Sequence, residues 1–519
     1  MLAMLCGTAL AVLTTQASIR LLWFDEFITL YIAKLNSFRE IWDALGRGVD
    51  PNPPLTHLLV MSSVRLFGES EIAVRLPALV AGLATIVALY VYLARRVPVV
   101  YAVIGVVYFM GTAGFDYSYE SRSYALMLLF SIGSLLAWRG VCEGRYGNFA
   151  AILLAVTLAA GISSNYFAVL AFFPIAAGEA TRMLRTRKVA WRVWIAMAVG
   201  ASPLLVYWPM INYSIAQFSP YAWNRPQLAA IRNAYVQMVA VNLIPALAML
   251  AVAGYTYVRR RRQHQPLTPV LPRHETIAVL TLLVYPFLGY ALAVAGAGMV
   301  SPRFVLPVCI GFGIATAAGT FHALPESRRV TLALVGLLAI SFVVREVAIG
   351  IWFYNQRLAV FRVRDRLPEA DVIAVSDSLL VLPLHYYSTP RLASRMVFPI
   401  DFESIRRWKK SDSPEQNLWA GRDLFPVPTV PLNDFVEQSP NYLIVTTEGN
   451  WLIHKLAFDG SPAMPLNVPT DTKPVGGFFP LSHGEVHYFL SGQSVAQSLT
   501  PGNSTGAPNQ RRKARPESR

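Results

Sequence analysis

Two adjacent carboxylates, Asp25 and Glu26, lie in the run Leu22-Trp23-Phe24-Asp25-Glu26-Phe27-Ile28. Placing two acids among aromatic and aliphatic side chains is costly in desolvation. Apolar surroundings raise the pKa of one of them toward the range of a usable general base. A solvated loop pair or a structural cap is the alternative, and spacing alone does not separate the two. Three arginines stand at the ends of apolar runs: Arg75, Arg122 in Tyr119-Glu120-Ser121-Arg122-Ser123-Tyr124, and Arg303 in Ser301-Pro302-Arg303-Phe304. Ser301 reads as an N-cap and Pro302 as the first helical residue. Arg303 beside such a helix N-terminus would bind phosphate, with headgroup snorkelling as the alternative. Arg75, four residues after Glu71, reads first as the ion-pair partner of that acid. Asp116 and Glu120 either line a sugar pocket or pair with nearby Arg122. The segment Asp50-Pro51-Asn52-Pro53-Pro54-Leu55-Thr56-His57 is a rigid turn into a helix, because prolines fix φ, and His57 reads as a packed or capping histidine.

The elements that must hold these residues are apolar. The chain has 519 residues, 54% hydrophobic and 14% charged, where a soluble domain carries about 25% charged residues. Mean hydropathy is +0.43. A spanning helix needs about 20 apolar residues. Candidate spans fall near 1–18, 72–94, 98–115, 123–138, 149–163, 165–181, 192–211, 233–257, 275–297, 303–321 and 330–351, about eleven in all. The first lacks a basic leader and reads as a membrane helix rather than a cleaved signal. With the N-terminus inside, sixteen Lys and Arg residues fall in inner loops, from Arg95 and Arg96 to Arg328 and Arg329. Four fall in the short outer loops: Arg122, Arg225, Arg232 and Arg303. That bias fixes the orientation and puts the C-terminal part outside a plasma membrane, in periplasm or cell exterior. It also explains the net charge of +15 without a nucleic-acid partner. Three cysteines, with no CxxC and no His/Cys cluster, make neither a disulfide framework nor a structural zinc site.

The organisation expected is a polytopic α-helical membrane domain over 1–352, a small extracytoplasmic α/β domain over 353–490 and a disordered tail over 491–519. The outer loop 19–71 carries amphipathic pieces such as Phe38–Leu45 that suit interfacial helices. A second outer segment, 212–232, is rich in Tyr, Trp and Pro and reads as a mobile flap. Strand-like runs occur at 372–375, 442–446 and 485–490.

In order and placement, the motifs around Asp25-Glu26, Asp50-Pro51-Asn52-Pro53-Pro54-Leu55, Glu71-Ile72-Ala73-Val74-Arg75-Leu76-Pro77, Glu120-Ser121-Arg122-Ser123-Tyr124 and Pro302-Arg303-Phe304-Val305-Leu306-Pro307 resemble the GT-C membrane glycosyltransferases. The nearest branch is bacterial, related to protein O-mannosyltransferases and the lipid A aminoarabinose transferase, and the likeness covers roughly residues 15–310. It implies an inverting transfer from a polyprenyl-phosphate-linked sugar at the bilayer to an envelope acceptor: a lipopolysaccharide sugar, lipid, wall glycan or protein. Asp25 would be the catalytic base, Glu26 and an acid of the second loop would assist, and Arg303 would bind the carrier phosphate. Asn52 stands where relatives commonly have His, a departure that counts against a metal or proton role at that position; whether the reaction uses a divalent metal stays open. No nucleotide cofactor is expected, since no Walker or Rossmann glycine pattern follows a strand.

Two other classes compete. A transporter or lipid flippase would carry ionisable residues within spans and interrupted helices in two related halves; here most acids sit at span ends and no internal repeat is visible. A non-catalytic scaffold or sensor would tolerate loss of Asp25.

Overall fold

The computed structural model describes residues 1–239, 242–262, 270–324, 328–447, 450–461, 463–466 and 486–492. The chain opens with α1 (Leu2–Ile19), α2 (Phe24–Ala33), α3 (Phe38–Gly46), α4 (Leu55–Phe67), α5 (Glu71–Ala94), α6 (Val99–Met110), α7 (Ala113–Asp116), α8 (Tyr124–Cys142) and α9 (Asn148–Ser164). It continues through α10 (Phe172–Thr186), α11 (Trp191–Ala201), α12 (Pro203–Phe218), α13 (Leu228–Val239), α14 (Leu243–Arg262), α15 (Arg273–Leu283), α16 (Tyr285–Leu292), α17 (Val308–Ala323) and α18 (Arg328–Asp365).

Among the described residues, six helical segments are long and apolar enough to cross a membrane: α1, α5, α8, Tyr166–Thr186, Trp191–Tyr221 and Arg329–Asp365. Three more qualify only as bent pairs: Val99–Met110 with Ala113–Tyr119 (68°), Leu228–Met238 with Leu243–Thr256 (82°) and Arg273–Leu283 with Tyr285–Ala297 (58°). Each of the eleven expected spans overlaps a helix. By length and composition alone, six of the described helical segments, or nine with each bent pair taken as one span, qualify as crossings. The shortfall is α9 and α17, of 17 and 16 residues, below the usual length of a straight span. The protein is a multi-pass membrane protein. Helix α18 has 38 residues, about 57 Å at the α-helical rise, against a hydrocarbon core of about 30 Å. The boundary expected at 352/353 therefore falls inside one continuous helix.

Local chemistry explains how the helices near the site meet. Pro77 lies inside α5 and cannot donate to the carbonyl of Ala73 one turn earlier. The Ser63 hydroxyl of α4 donates to that carbonyl instead, at 2.6 Å, which satisfies it and ties α4 to α5. Gly105 of α6 and Gly313 of α17 let two backbones touch, since a Cβ at Gly105 would come within 2.6 Å of the Gly313 carbonyl; small residues permit such close helix crossings. The segment expected as interfacial helices folds as α2, α3 and α4. Ser37 caps α3 by accepting from the Glu40 N–H, and Ile41, Ala44 and Leu45 form its buried face while Phe38 is exposed.

The C-terminal part is a six-stranded sheet: β1 (Ile373–Val375), β2 (Met396–Ile400), β3 (Thr429–Pro431), β4 (Asn441–Thr447), β5 (Ala463–Leu466) and β6 (Val486–Gly492), in the order β3-β2-β1-β4-β6-β5. Strands β3, β2, β1 and β4 are parallel, with Ile373 opposite Met396 on one side and Leu443 on the other. Strand β6 runs antiparallel between β4 and β5. The connections carry α19 (Ser378–Tyr386), α20 (Pro390–Ala393), α21 (Phe402–Trp408), α22 (Ser413–Ala420), α23 (Leu432–Gln438) and α24 (Trp451–Phe458). β1 is buried throughout and β4 along all but its first residue, as strands covered on both faces must be. The expected runs at 372–375 and 442–446 become β1 and β4. Most of the third becomes β6, although Glu485 lies outside the described residues. Of the expected disordered tail, Ser491 and Gly492 instead complete β6; the remainder, including Arg511–Arg515, lies outside the described residues.

Candidate active site

The chain leaves α1 through an extended Arg20 and begins α2 at Phe24. Asp25 and Glu26 therefore occupy successive positions of one helical turn, about 100° apart around its axis. They face different surroundings, and their fates differ.

Glu26 is fully buried. Its carboxylate accepts from Arg75 through Nε at 2.7 Å and Nη2 at 2.6 Å, and from the Ser121 backbone N–H at 2.7 Å. Burial, the largest single influence, pushes its carboxyl up, but Arg75, Arg20 and the Ser121 N–H together hold it below its ordinary value. The expectation that apolar surroundings raise a carboxylate thus fails at Glu26, because a buried guanidinium faces it. Arg75, also fully buried, gives its remaining donors to the carbonyls of Ala17, Arg20 and Leu21. These carbonyls belong to the end of α1 and the turn after it, where a helix leaves acceptors unsatisfied. Arg75 therefore pairs with Glu26 rather than with Glu71, and it locks α1, α2 and α5 together.

Glu120 and Asp116 do not pair with Arg122 either. Glu120 accepts from Arg20 at 3.1 Å and is buried; burial pushes its carboxyl up despite Arg20. Asp116 pairs with Arg345 of α18.

Arg122 instead turns to the Asp50 turn. It donates to Asp50 Oδ2 at 2.6 Å, to the Asp25 carbonyl at 3.0 Å and to Thr29 Oγ1 at 3.0 Å. Asp50 also accepts from the Asn52 amide at 2.6 Å and lies 3.3 Å from His57 Nε2. Burial would raise the Asp50 carboxyl, but Arg122 and His57 hold it well below the carboxylate range. His57 is buried and serves this turn.

Asp25 is the acid left facing open space. Its Oδ2 is 3.2 Å from Arg303 Nη1 and 3.9 Å from Arg122 Nε. The Arg303 guanidinium lies 5.7 Å from the ring centres of both Tyr124 and Trp223. The helix start expected at Ser301 is a short 3-10 turn, Pro302–Val305, without a side-chain cap from Ser301. The α-helix begins only at Val308, after Pro307, so Arg303 sits on a turn held by the Phe167–Phe304 ring stack at 4.3 Å.

Asp25, Arg122 and Arg303 line one cavity of about 490 Å³, whereas Glu26, Arg75, Asp116 and Glu120 are not among its lining residues. The membrane-side wall adds Asn52, Tyr124 and Asn165; the opposite wall comes from the sheet domain, through Ser376, Lys409 and Asn450. Trp223 and Asn224, from the segment read as a flap, also line the cavity, and the Asn224 carbonyl accepts from the Val300 N–H. Sequence reasoning missed Asn165 and the sheet-domain wall. The available signals were a lone Asn between two apolar runs and the polar triplet Ser376-Asp377-Ser378 directly after a strand. Among the described residues, no group of three or more His, Cys, Asp or Glu side chains is arranged to hold a metal ion.

The fold is one already seen in solved structures. ArnT from Cupriavidus metallidurans, bound to undecaprenyl phosphate, superposes with a TM-score of 0.52 at 11% identity, over 94% of this chain and 97% of that one. Its apo state gives a TM-score of 0.54 at 10% identity over the same shares. Residues 51–212 match the family model described as dolichyl-phosphate-mannose-protein mannosyltransferase. No curated protein sequence matches the chain. The resemblance to the GT-C membrane glycosyltransferases is thereby borne out.

Proposed function

We propose that the protein is an inverting glycosyltransferase that moves a sugar from a polyprenyl-phosphate donor to an envelope acceptor on the outer face of the plasma membrane. One observation carries this reading: the Asp25 carboxylate and the Arg303 guanidinium meet at 3.2 Å in a cavity walled by apolar helices on one side and a polar sheet domain on the other. A lipid-linked phosphosugar needs both surroundings at once. The match to a structure that holds undecaprenyl phosphate and to a family model named for a dolichyl-phosphate sugar supports the donor class.

The chemistry follows from the two groups. The acceptor hydroxyl gives its proton to Asp25 as its oxygen forms a bond to the anomeric carbon. The bond from that carbon to the phosphate oxygen breaks, and the leaving phosphate keeps the electron pair. Arg303 exchanges the Asp25 carboxylate for the phosphate and stabilises the charge that develops there. Arg122, committed to Asp50, fixes the backbone of Asp25 instead. Glu26 and Arg75 position α2. On this reading the eleven apolar segments cross the membrane as eleven spans, and residues 353–490 form the extracytoplasmic domain. The bent helix pairs would also suit a transporter, but a transporter has no need of a base beside a phosphate-binding arginine. The test is comparative mass spectrometry of envelope glycans, lipids and glycoproteins with and without the gene. Loss of one defined sugar substituent supports transfer; unchanged glycosylation with altered lipid-linked pools would support transport instead.

A further inference from the structure

The sheet-domain wall of the cavity is a topological switch point. From β1 the chain moves through α19 and α20 to β2 and then outward to β3; β4 returns to the other side of β1, and α24 leads away from it toward β5. The connections leaving β1 and β4 thus diverge, which opens a crevice beyond their carboxyl ends, where open α/β sheets bind ligands. Residues at and just past those ends, Ser376 to Leu379 on the β1 side and Thr447, Asn450 and Trp451 on the β4 side, are among those that line the cavity together with Asp25.

Three polar atoms at this wall are buried without hydrogen-bond partners among the described residues. Ser376 Oγ, Ser411 Oγ and Trp451 Nε1 make no hydrogen bond to the described residues, although Ser376 and Trp451 are 1% exposed and Ser411 8%. Buried polar groups are almost always satisfied, so three such atoms on one cavity wall call for a ligand. The surrounding charge selects its type. Helices α19, α22 and α24 all begin here, which by itself favours an anion. Asp377, however, already accepts from the Leu379 and Leu380 N–H groups, and Asn450 from that of Leu452. Lys409 is taken by Glu415 at 2.6 Å and by Ser378 at 3.0 Å, and Arg406 by Asp412 at 2.7 Å. What remains is two hydroxyls and an indole N–H, a neutral donor and acceptor set that matches a polyhydroxylated ring.

We infer that this crevice is the acceptor subsite and that the acceptor is a carbohydrate, one of whose pyranose rings is held by Ser376, Ser411 and Trp451 opposite Asp25. The inference rests on the glycosyl-transfer reading and narrows its acceptor from four classes to sugar-bearing ones.

The test is saturation-transfer NMR on the full-length protein in phosphatidylethanolamine/phosphatidylglycerol nanodiscs. The probes are methyl α-D-mannopyranoside, methyl β-D-glucopyranoside and methyl β-D-galactopyranoside, with a blocked Ser/Thr peptide as contrast. At least one glycoside should show transfer from the parental protein. Ser376→Ala and Ser411→Ala should each weaken it about two- to tenfold, the range of one neutral hydrogen bond, and together should abolish it. Trp451→Phe should act in the same direction. Because the two hydroxyls have no hydrogen-bond partner among the described residues, both serine variants should melt at or above the parental temperature, which separates a ligand role from a structural one. Asp25→Asn should keep the glycoside signal, so failure of the chemistry and failure of the subsite are distinguishable. Silence from all three glycosides, a signal indifferent to the serine variants, or a hydroxyl-dependent signal from the peptide alone would overturn the inference.

Discussion

Replacing Glu26 with Gln tests whether this acid positions or reacts. The substitution keeps the side-chain shape but leaves the Arg75 guanidinium without its counter-charge, at a site where both side chains are 0% exposed. Breaking a buried pair from one side typically costs about 3–5 kcal/mol. Arg75→Met leaves Glu26 buried without its partner and also strips the carbonyls of Ala17, Arg20 and Leu21 of their donor, each worth about 1–3 kcal/mol when left unsatisfied. Arg75→Met should therefore destabilise more than Glu26→Gln. The double variant Glu26→Gln/Arg75→Met removes both charges and should recover part of the loss, but not the part owed to the carbonyls. Thermal unfolding of detergent-purified protein, read by size-exclusion fluorescence, gives the order of the three. Activity per folded molecule of Glu26→Gln should stay within a few-fold of the parent. A Glu26→Gln protein that melts like the parent, or single-variant effects that simply add in the double variant, would refute the role of the pair.

Three further outcomes are expected. Arg303→Ala should raise the KM for the lipid-phosphate donor by roughly ten- to a hundredfold, since a charge-assisted bond is worth about 1.5–3 kcal/mol, and Arg303→Lys should restore only part because it lacks the planar fork; unchanged donor kinetics in the Ala variant would remove Arg303 from the site. Asp50 has a carboxyl held below its unfolded value, so its stabilisation is complete above an unfolded pKa of about 3.9 and declines as pH falls below it; the melting-temperature gap between the parent and Asp50→Asn should be constant from about pH 5 to 8 and narrow in more acidic buffer, and a gap that widens on acidification would contradict the pairing. A reporter that works only outside the cytoplasm should be active when fused after residue 360 and silent when fused near Arg260, and the reverse pattern would invert the placement of the site.

What the sequence made legible was mainly composition and local geometry. The apolar runs carried the helices because hydropathy is a property of the segment itself. The bends within three of them were not readable, since a pair such as α15 and α16 keeps its apolar character across the break at Val284. Strands β2, β3 and β5 escaped because they are short and contain Pro399, Pro431 and Pro465. Asp25 and Arg303 emerged as candidates from residue type and position, although they are 278 residues apart and nothing in the spacing joins them. Arg75 misled because helical arithmetic sees only neighbours such as Glu71, whereas its partner Glu26 lies 49 residues upstream. The same limit hid the link between Asp50 and Arg122, and between Asp116 and Arg345. The helix start at Ser301 failed for a local reason: a second proline, Pro307, follows Pro302 closely, and the chain makes a 3-10 turn before the helix can begin.

The central claim is that Asp25 takes the acceptor's proton. Its most direct measurement is single-turnover transfer by purified Asp25→Asn from a polyprenyl-phosphate sugar to the envelope acceptor identified by the mass-spectrometric comparison. Asn keeps the shape and the hydrogen-bonding capacity of Asp but cannot accept a proton, and general-base catalysis is typically worth about 10²–10⁴-fold. The variant should fold, insert and bind donor as the parent does, and transfer slower by that factor. Well-folded Asp25→Asn that transfers sugar at the parental rate would contradict the assignment.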